Sequence, residues 1–345
     1  MKVYRGLENV RPRGCLALAV GVFDGVHRGH QAIIAKAVSA ARRECCRSAV
    51  LTFDPHPDAV LRPGPGSARL TTTGEKLDLL ASLGVQMAIV AEFGEALAEM
   101  PAEVFVRRVV HEQLRACCVV VGEDWRFGAG GGGNVGLIRD LAGKLQVRVQ
   151  TVPPITHGGA KISSTRIRRV LSRGGIEAAG ELLGRPYRLA GRVVAGRGRG
   201  RELGFPTANV APPAGKLVPG SGVYACWAGV RRLRPAVVNI GVRPTFQRAG
   251  EGTVQRAGEG TVEVHLLDSP RRVQLLGKSL QVFFVERLRA ERRFATSDAL
   301  VRQIARDCTI AREKLAALQP APDMLLFEDP NASSAEAKGK SRIRR

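Results

Sequence analysis

The ten residues Gly21–His30 read GVFDGVHRGH and bring two histidines and three glycines together. They lie between an apolar run, CLALAV, and a segment with helical spacing, HQAIIAKAVSAARR (30–43). Glycines at a strand end let the backbone approach a phosphate closely, and a following helix points its first N–H groups at the anion. His27 and His30 are three apart and converge on one side of the turn into that helix. Two imidazoles placed there can hydrogen-bond phosphoryl oxygens, which suits a reaction that moves negative charge onto leaving pyrophosphate.

Other stretches carry related chemistry. KISSTRIRRVL (161–171) supplies Ser163, Ser164 and Thr165 before a helix, with Arg168 one turn on. Hydroxyls, free N–H groups and a guanidinium make a second anion site, whereas a plain helix cap would use one hydroxyl. VGEDWRFG (121–128) ends an apolar run with Asp124, Trp125 and Arg126 ready to meet a ring and a phosphate. In TFDPHP (52–57), Pro55 and Pro57 stiffen a loop around His56, which on its own reads as a turn. Further on, GRGRELGFPTANV (198–210) puts GFPTAN after a glycine- and arginine-rich loop, a composition suited to cradling phosphate.

The elements that must hold these residues follow from periodicity. Five short apolar runs, LALAVGVF (16–23), SAVLTF (48–53), VQMAIV (85–90), CCVVVG (117–122) and VRVQTV (147–152), read as strands. Segments 30–43, 74–84, 101–114 and 134–145 carry apolar residues at i, i+3, i+4 and i+7 and read as helices, as does roughly 164–172. Near-continuous apolar strands alternating with amphipathic helices predict a parallel sheet covered on both faces. In such sheets ligands sit at the carboxyl ends of the strands, where GVFDGVHRGH lies. After GRPYRLAG (184–191) the helical period disappears. Short alternating runs parted by glycine and proline predict an antiparallel sheet or small barrel over about 186–290, and 297–315 is helical again. The Pro-, Ala- and charge-rich tail, 319–345, reads as disordered. QRAGEGTV occurs at 247–254 and again at 255–262; a copy this short reads as a duplicated loop. AGGGGN (129–134) reads as a floppy loop.

Bulk properties narrow the class. With 345 residues the chain exceeds one typical core, so two domains are expected. Apolar runs fall short of the roughly 20 residues that span a bilayer, and the start lacks an apolar targeting core, so neither a membrane span nor a signal peptide is expected. Seven cysteines without CxxC argue against a disulfide framework or a zinc site and for reduced thiols in a cytoplasm. The net charge is +22, with arginine 43 times and lysine ten. Such a field suits polyanions, but RNP and zinc-finger patterns are missing and aromatics make up 5%. Phosphorylated small molecules are therefore the expected partners, rather than nucleic acid or a membrane. No feature of the sequence fixes an oligomeric state.

Together the motifs resemble the bifunctional riboflavin kinase/FAD synthetase family of bacteria, over about residues 5–315. HRGH (27–30), FDPHP (53–57) and ISSTRIR (162–168) match its HxGH, FxPHP and ISSTxxR. GRGRELGFPTANV, NIGVRPTF (239–246), TVEVHLLD (261–268) and LLGK (275–278) look like its riboflavin kinase module. The resemblance implies a Rossmann-like α/β nucleotidyltransferase domain (1–185), then an all-β barrel kinase domain with a C-terminal helix (186–318). It implies that riboflavin is phosphorylated by ATP to FMN, and that FMN is adenylylated by a second ATP to FAD, with Mg²⁺ as cofactor. His27 and His30 would be catalytic in the first domain, and Glu263 would be the general base of the second. Gly21, Phe23, Asp24, Gly25, Gly29, Ser163, Ser164, Thr165 and Arg168 would hold ATP. Phe53, Pro55, His56, Asp124, Trp125 and Phe127 would hold the flavin. Gly196, Gly204, Pro206, Thr207 and Asn209 would hold kinase ATP, with Thr207 and Asn209 on the metal. Trp125 stands where the family often has Phe, AGGGGN replaces basic residues, and LLGK lacks a tyrosine. A second reading keeps one activity and makes the other domain a flavin-binding module. A third, a basic flavin- or RNA-binding regulator without turnover, is opposed by the intact motif set.

Overall fold

The computed structural model describes residues 1–62, 64, 67–196, 198–241, 261–268 and 274–318. In chain order the first elements are β1 (Lys2–Arg5), β2 (Leu16–Val20), α1 (Arg28–Arg43), β3 (Arg47–Asp54), α2 (Pro57–Leu61), α3 (Thr73–Ser82) and β4 (Met87–Glu92). There follow α4 (Glu95–Ala98), α5 (Ala102–Val104) running into a π-helical stretch (Phe105–Gln113), β5 (Ala116–Gly122), α6 (Val135–Lys144) and β6 (Arg148–Val152). A small hairpin of β7 (Thr156–His157) and β8 (Ala160–Lys161) precedes α7 (Ser164–Ser172) and α8 (Ile176–Leu183). The rest comprises β9 (Tyr187–Val194), α9 (Arg199–Glu202), β10 (Ala208–Ala211), β11 (Gly222–Gly229), β12 (Arg234–Gly241), β13 (Thr261–Leu266), β14 (Ser279–Arg289) and α10 (Ser297–Ala316).

The chain forms two compact units. One comprises Met1–Arg168, Leu182–Gly184 and Gly215–Leu217; the other comprises Arg169–Glu181, Arg185–Ala214 and Val218 onward. The first is built on a parallel sheet in the order β1-β4-β3-β2-β5-β6. Every residue of β2 is buried, because both faces of the sheet are covered. Leu16, Leu18 and Val20 pack on one face with Val106, Val109, Val110 and Ile138. Ala17 and Ala19 pack on the other with Ile34, Ala37 and Leu80. The period-two alternation of large and small residues in LALAV thus serves two layers of helices. Strand order reverses at β2, which has β3 on one side and β5 on the other. Such a switch point opens a crevice beyond the carboxyl ends of the strands.

The second unit is a closed antiparallel barrel, β10-β13-β12-β11-β14-β9. Tyr224 on β11 meets Phe284 on β14 edge to face, with ring centroids 5.4 Å apart. Alternate residues Val223, Ala225 and Trp227 join Val237 and Phe283 under Cys308, Ala311 and Leu315 of α10.

Several elements differ from the sequence expectation. The run 16–23 is a strand only to Val20, because Phe23 turns back with φ +50°. β1, the β7–β8 hairpin and α8 were not expected. The glycine run is a closed turn: Phe127 and Gly133 exchange two backbone hydrogen bonds of 3.2 and 2.8 Å. Asn134 then caps α6 by accepting from the Leu137 N–H at 3.0 Å. The first copy of the repeat, most of the second, and the tail 319–345 lie outside the described residues.

Candidate active sites

In the first unit the loop after β2 is held from within. The Asp24 carboxylate is buried and accepts from the Leu70 and Thr71 N–H groups, each at 3.0 Å, and from the Thr71 hydroxyl at 3.2 Å. Arg168 Nη2 donates to it at 2.6 Å and Arg168 Nε donates to the Ala68 carbonyl at 2.8 Å. Burial by itself raises the Asp24 carboxyl; the Leu70 N–H, the Arg168 charge and the Thr71 N–H outweigh it and hold the group below its ordinary value. Ser164 donates its hydroxyl to the Asp24 carbonyl at 2.9 Å, and the Gly25 N–H donates to Thr71 Oγ1 at 3.0 Å. Two distant motifs, DGVHRGH and ISSTRIR, are thereby locked together.

The lock supports a strained backbone. Phe23 and Val26 sit at φ +50° and +41°, which costs on the order of 1–3 kcal/mol each. Lys76 braces the same loop from α3, donating to the Val22 carbonyl at 2.8 Å and to Thr52 Oγ1 at 3.0 Å. Burial pulls its ammonium down to about 8, against the opposing pull of Asp24 and Asp54. The start of α3 is fixed by a capping box. Thr72 Oγ1 accepts from the Glu75 N–H at 3.2 Å, and Glu75 accepts from the Thr72 N–H at 2.9 Å.

The histidines meet where the loop becomes α1. His27 is the N-cap, and its Nδ1 accepts from the His30 N–H at 3.3 Å. The two rings stack, with centroids 3.6 Å apart and planes at 18°. Phe23 meets His30 edge to face at 5.2 Å. This stack fixes both imidazoles at the helix N-terminus, where partial positive charge favours an anion. Gly21 and Gly29 lie half-buried beside it.

The remaining expected residues of this unit fall into two groups. Thr165 and Asp124 are exposed, and Asp124 is paired with Lys161. Ser163 caps α7 by accepting from the Arg166 N–H at 3.2 Å. Trp125 is half-buried and stacks on Phe127 at 4.2 Å and 14°, while Phe127 itself lies in the core. Phe127 is therefore placed as the support of Trp125 rather than as an open ring. Phe53 meets Phe93 edge to face at 5.6 Å, and Pro55 is exposed. His56 caps α2 with Nδ1 accepting from Asp58 N–H at 3.1 Å. Burial lowers the His56 value, against the opposing pull of Asp24 and Asp58. Lys76, Thr71 and Thr52 escaped the sequence reading, because a lysine in a helix carries no mark of burial.

In the barrel, Glu263 on β13 stands directly opposite Asn209 on β10 and Asn239 on β12. Directly paired residues share a face, so the three polar side chains stand in a row, flanked by buried Val262 and Val264. Two glycines of the preceding loop lie close to Asn209 and Thr207. A Cβ on Gly196 would lie 1.9 Å from Asn209 Nδ2, and one on Gly200 would lie 3.0 Å from Thr207 Oγ1. Backbone without side chains therefore approaches both residues. Thr207, Gly204 and Pro206 are exposed at the rim. His265 holds the PTAN segment down, with Nδ1 2.8 Å from the Pro206 carbonyl and its ring 5.7 Å from that of Phe205. Neither His265 nor Asn239 was singled out from the sequence, although both lie in stretches that were.

Both halves match known families. A model described as FAD synthetase matches residues 11–166, and one described as riboflavin kinase matches residues 183–315. A protein of Escherichia coli (strain K12) named bifunctional riboflavin kinase/FMN adenylyltransferase is 37% identical over 93% of this chain and 100% of its own length. The chain belongs to the bifunctional riboflavin kinase/FMN adenylyltransferase family. Proteins of the same name from Pseudomonas fluorescens and Bacillus subtilis (strain 168) are each 36% identical, over 90% and 84% of this chain and 97% and 89% of theirs. A crystal structure from Streptococcus pneumoniae, named a macrolide-efflux protein, has a TM-score of 0.80 at 28% identity, over 93% of this chain and 100% of that one. Among the described residues, no helix of this family member is long and apolar enough to cross a membrane.

Proposed function

We propose that the two halves divide the work of the family, with residues 1–185 adenylylating FMN and residues 186–318 phosphorylating riboflavin. As a member of this family the chain is a riboflavin kinase and an FMN adenylyltransferase. What supports the division is that each polar cluster is assembled within one unit: Asp24, His27, His30 and Arg168 in the first, Asn209, Asn239 and Glu263 in the second.

In the adenylyltransferase, His27 and His30 donate to phosphate oxygens as the FMN phosphate attacks the α-phosphate of ATP and pyrophosphate leaves. Gly21, Gly25 and Gly29 let the backbone near the phosphates, with Thr165 and the start of α7 as a second anion contact. Asp24, Phe23, Ser163, Ser164 and Arg168 set the loop and helix that carry those groups. Trp125, backed by Phe127, stacks on the isoalloxazine ring, with Phe53, Pro55, His56 and Asp124 around it.

In the kinase, Glu263 accepts the proton of the riboflavin 5′-hydroxyl as that oxygen attacks the γ-phosphate of ATP. Gly196, Gly204 and Pro206 shape the loop over the triphosphate. Thr207 and Asn209 would hold Mg²⁺ through a hydroxyl and a carboxamide oxygen beside the glycines, a hard-donor set that fits this ion. Mg²⁺ bound there supplies neutralisation of phosphate charge. The net charge of +22 serves these anionic substrates rather than nucleic acid. A reducing cytoplasm suits seven cysteines without a CxxC spacing.

The test is to incubate the chain with riboflavin, ATP and Mg²⁺ and to separate FMN from FAD by chromatography. Both products should form in sequence. FMN without FAD would remove the adenylyltransferase assignment, and conversion of supplied FMN alone would remove the kinase assignment.

A further inference from the structure

The amino-terminal ends of three neighbouring strands each bring a cysteine to one point. Cys15 precedes β2, Cys46 precedes β3, and Cys117 is the second residue of β5. The sheet order β3-β2-β5 sets these ends side by side. All three Sγ atoms lie within 4.8 Å of one another, and those of Cys46 and Cys117 are 3.7 Å apart. The strands are parallel, so this cluster is at the opposite end of the sheet from the His27 loop, which follows the carboxyl end of β2.

We propose that Cys15, Cys46 and Cys117 form a trithiolate site for a thiophilic d¹⁰ cation of the Zn²⁺ or Cu⁺ class. Zinc–sulfur bonds of about 2.3 Å place tetrahedral thiolates about 3.8 Å apart, the separation already present for one pair. The remaining sulfur separations are no more than 4.8 Å, so a closure of about 1 Å brings them to the same spacing. A Cys46–Cys117 disulfide would require the two sulfurs, 3.7 Å apart, to close to about 2.05 Å. Cys15 is exposed, which gives an ion a path from solvent and leaves a coordination position for water. Each thiol gives up its proton as the sulfur–metal bond forms. A CxxC spacing is not needed when the sheet, rather than a turn, gathers the ligands.

The test uses the full-length reduced protein, free of other metals, titrated with Cd²⁺ and followed by thiolate-to-metal absorption. One equivalent should saturate the signal, and Zn²⁺ should displace it. Cys15→Ser and Cys117→Ser should each abolish it, while Cys45→Ser should leave it intact. Because Cys15 is exposed, Cys15→Ser tests the site even if Cys117→Ser fails to fold. Zn²⁺ should also protect Cys15 from alkylation. Absorption that does not saturate at one equivalent, or that survives Cys15→Ser, would overturn the site. So would an oxidised protein lighter by one hydrogen pair that forms in place of the metal complex.

Discussion

Arg168 and Asp24 are 144 residues apart in sequence, yet their side chains meet at 2.6 Å. The pair is mostly buried, with 15% of the arginine side chain and 3% of the aspartate accessible. It joins the helix that begins at Ser164 to the loop that carries the histidines. Breaking it should therefore disturb the adenylyltransferase alone. In Asp24→Asn the guanidinium loses its counter-charge, at a cost of about 3 kcal/mol. FAD formation should fall more than tenfold while FMN formation stays near wild type, read by chromatography of both products. The Asp24 carboxyl is held below its ordinary value, so its contribution is present above about pH 4 and fades as the pH falls through the folded value. The stability gap between wild type and variant should close in that acid range. A gap that widens there would contradict the ion pair.

His27 has two jobs that one substitution confounds. It caps α1 through Nδ1, and its ring stacks on His30. His27→Ala removes cap and imidazole together, whereas His27→Asn restores a good cap, worth about 0.5–2 kcal/mol. Both variants should lose about 10²–10³ in the rate of FAD formation, the typical loss of one charge-directed donor. Thermal unfolding should separate them, with the asparagine variant the more stable. If His27→Asn makes FAD at the wild-type rate, the imidazole is a cap and no more. Equal loss of FMN and FAD in either folded variant would defeat the two-site division.

Lys76 should give the fold a signature in alkali. Its ammonium titrates at about 8 when folded and near ~10.4 when unfolded. Between those values the unfolded chain holds a proton that the folded chain has released, so stability rises with pH across the window. Below it both states hold the proton and the burial penalty is complete. Lys76→Met removes the titration. Relative to that variant, the wild type should gain up to about 3 kcal/mol from about pH 7 to about pH 10. Denaturant unfolding at several pH values measures this, and parallel curves would show that Lys76 keeps an ordinary value.

How far the sequence disclosed this molecule depends on the kind of information each residue carries. LALAV could be read as a doubly covered strand because burial on both faces leaves no polar alternation. KVYR at 2–5 could not, because β1 pairs with β4 alone at a sheet edge and keeps three of its four residues exposed. His27 and His30 were legible because three residues on a helix start fix their proximity. Asp24 with Arg168, and Cys15 with Cys46 and Cys117, were not, because only the order of strands brings them together. The sequence groups Phe127 with the flavin contacts, because an aromatic two residues from Trp125 gives no sign of which ring faces the core.

The last prediction concerns the repeat that precedes Glu263. β13 begins at Thr261, within the second QRAGEGTV, and its register sets Glu263 opposite Asn209 and Asn239. Side chains alternate along a strand, so an insertion of even length preserves facing, and a slip by one whole repeat would bring Gln255 to the place of Glu263. Gln255 cannot accept the hydroxyl proton. The second copy continues into VEVHLL, whose Val262 and Val264 are buried, whereas the first continues into Arg256, Ala257 and Gly258, which suit a loop. The first copy lies outside the described residues, and its even length predicts that the register of β13 survives its removal. Deleting Gln247–Val254 should leave the kinase within about tenfold, a barrier change of roughly 1.4 kcal/mol. Glu263→Gln should nearly abolish it, with FAD formation from supplied FMN unchanged. FMN production by both variants is the measurement. A correctly folded deletion variant without kinase activity would show that the extra copy contributes to the site, and an active Glu263→Gln would remove this glutamate as the base.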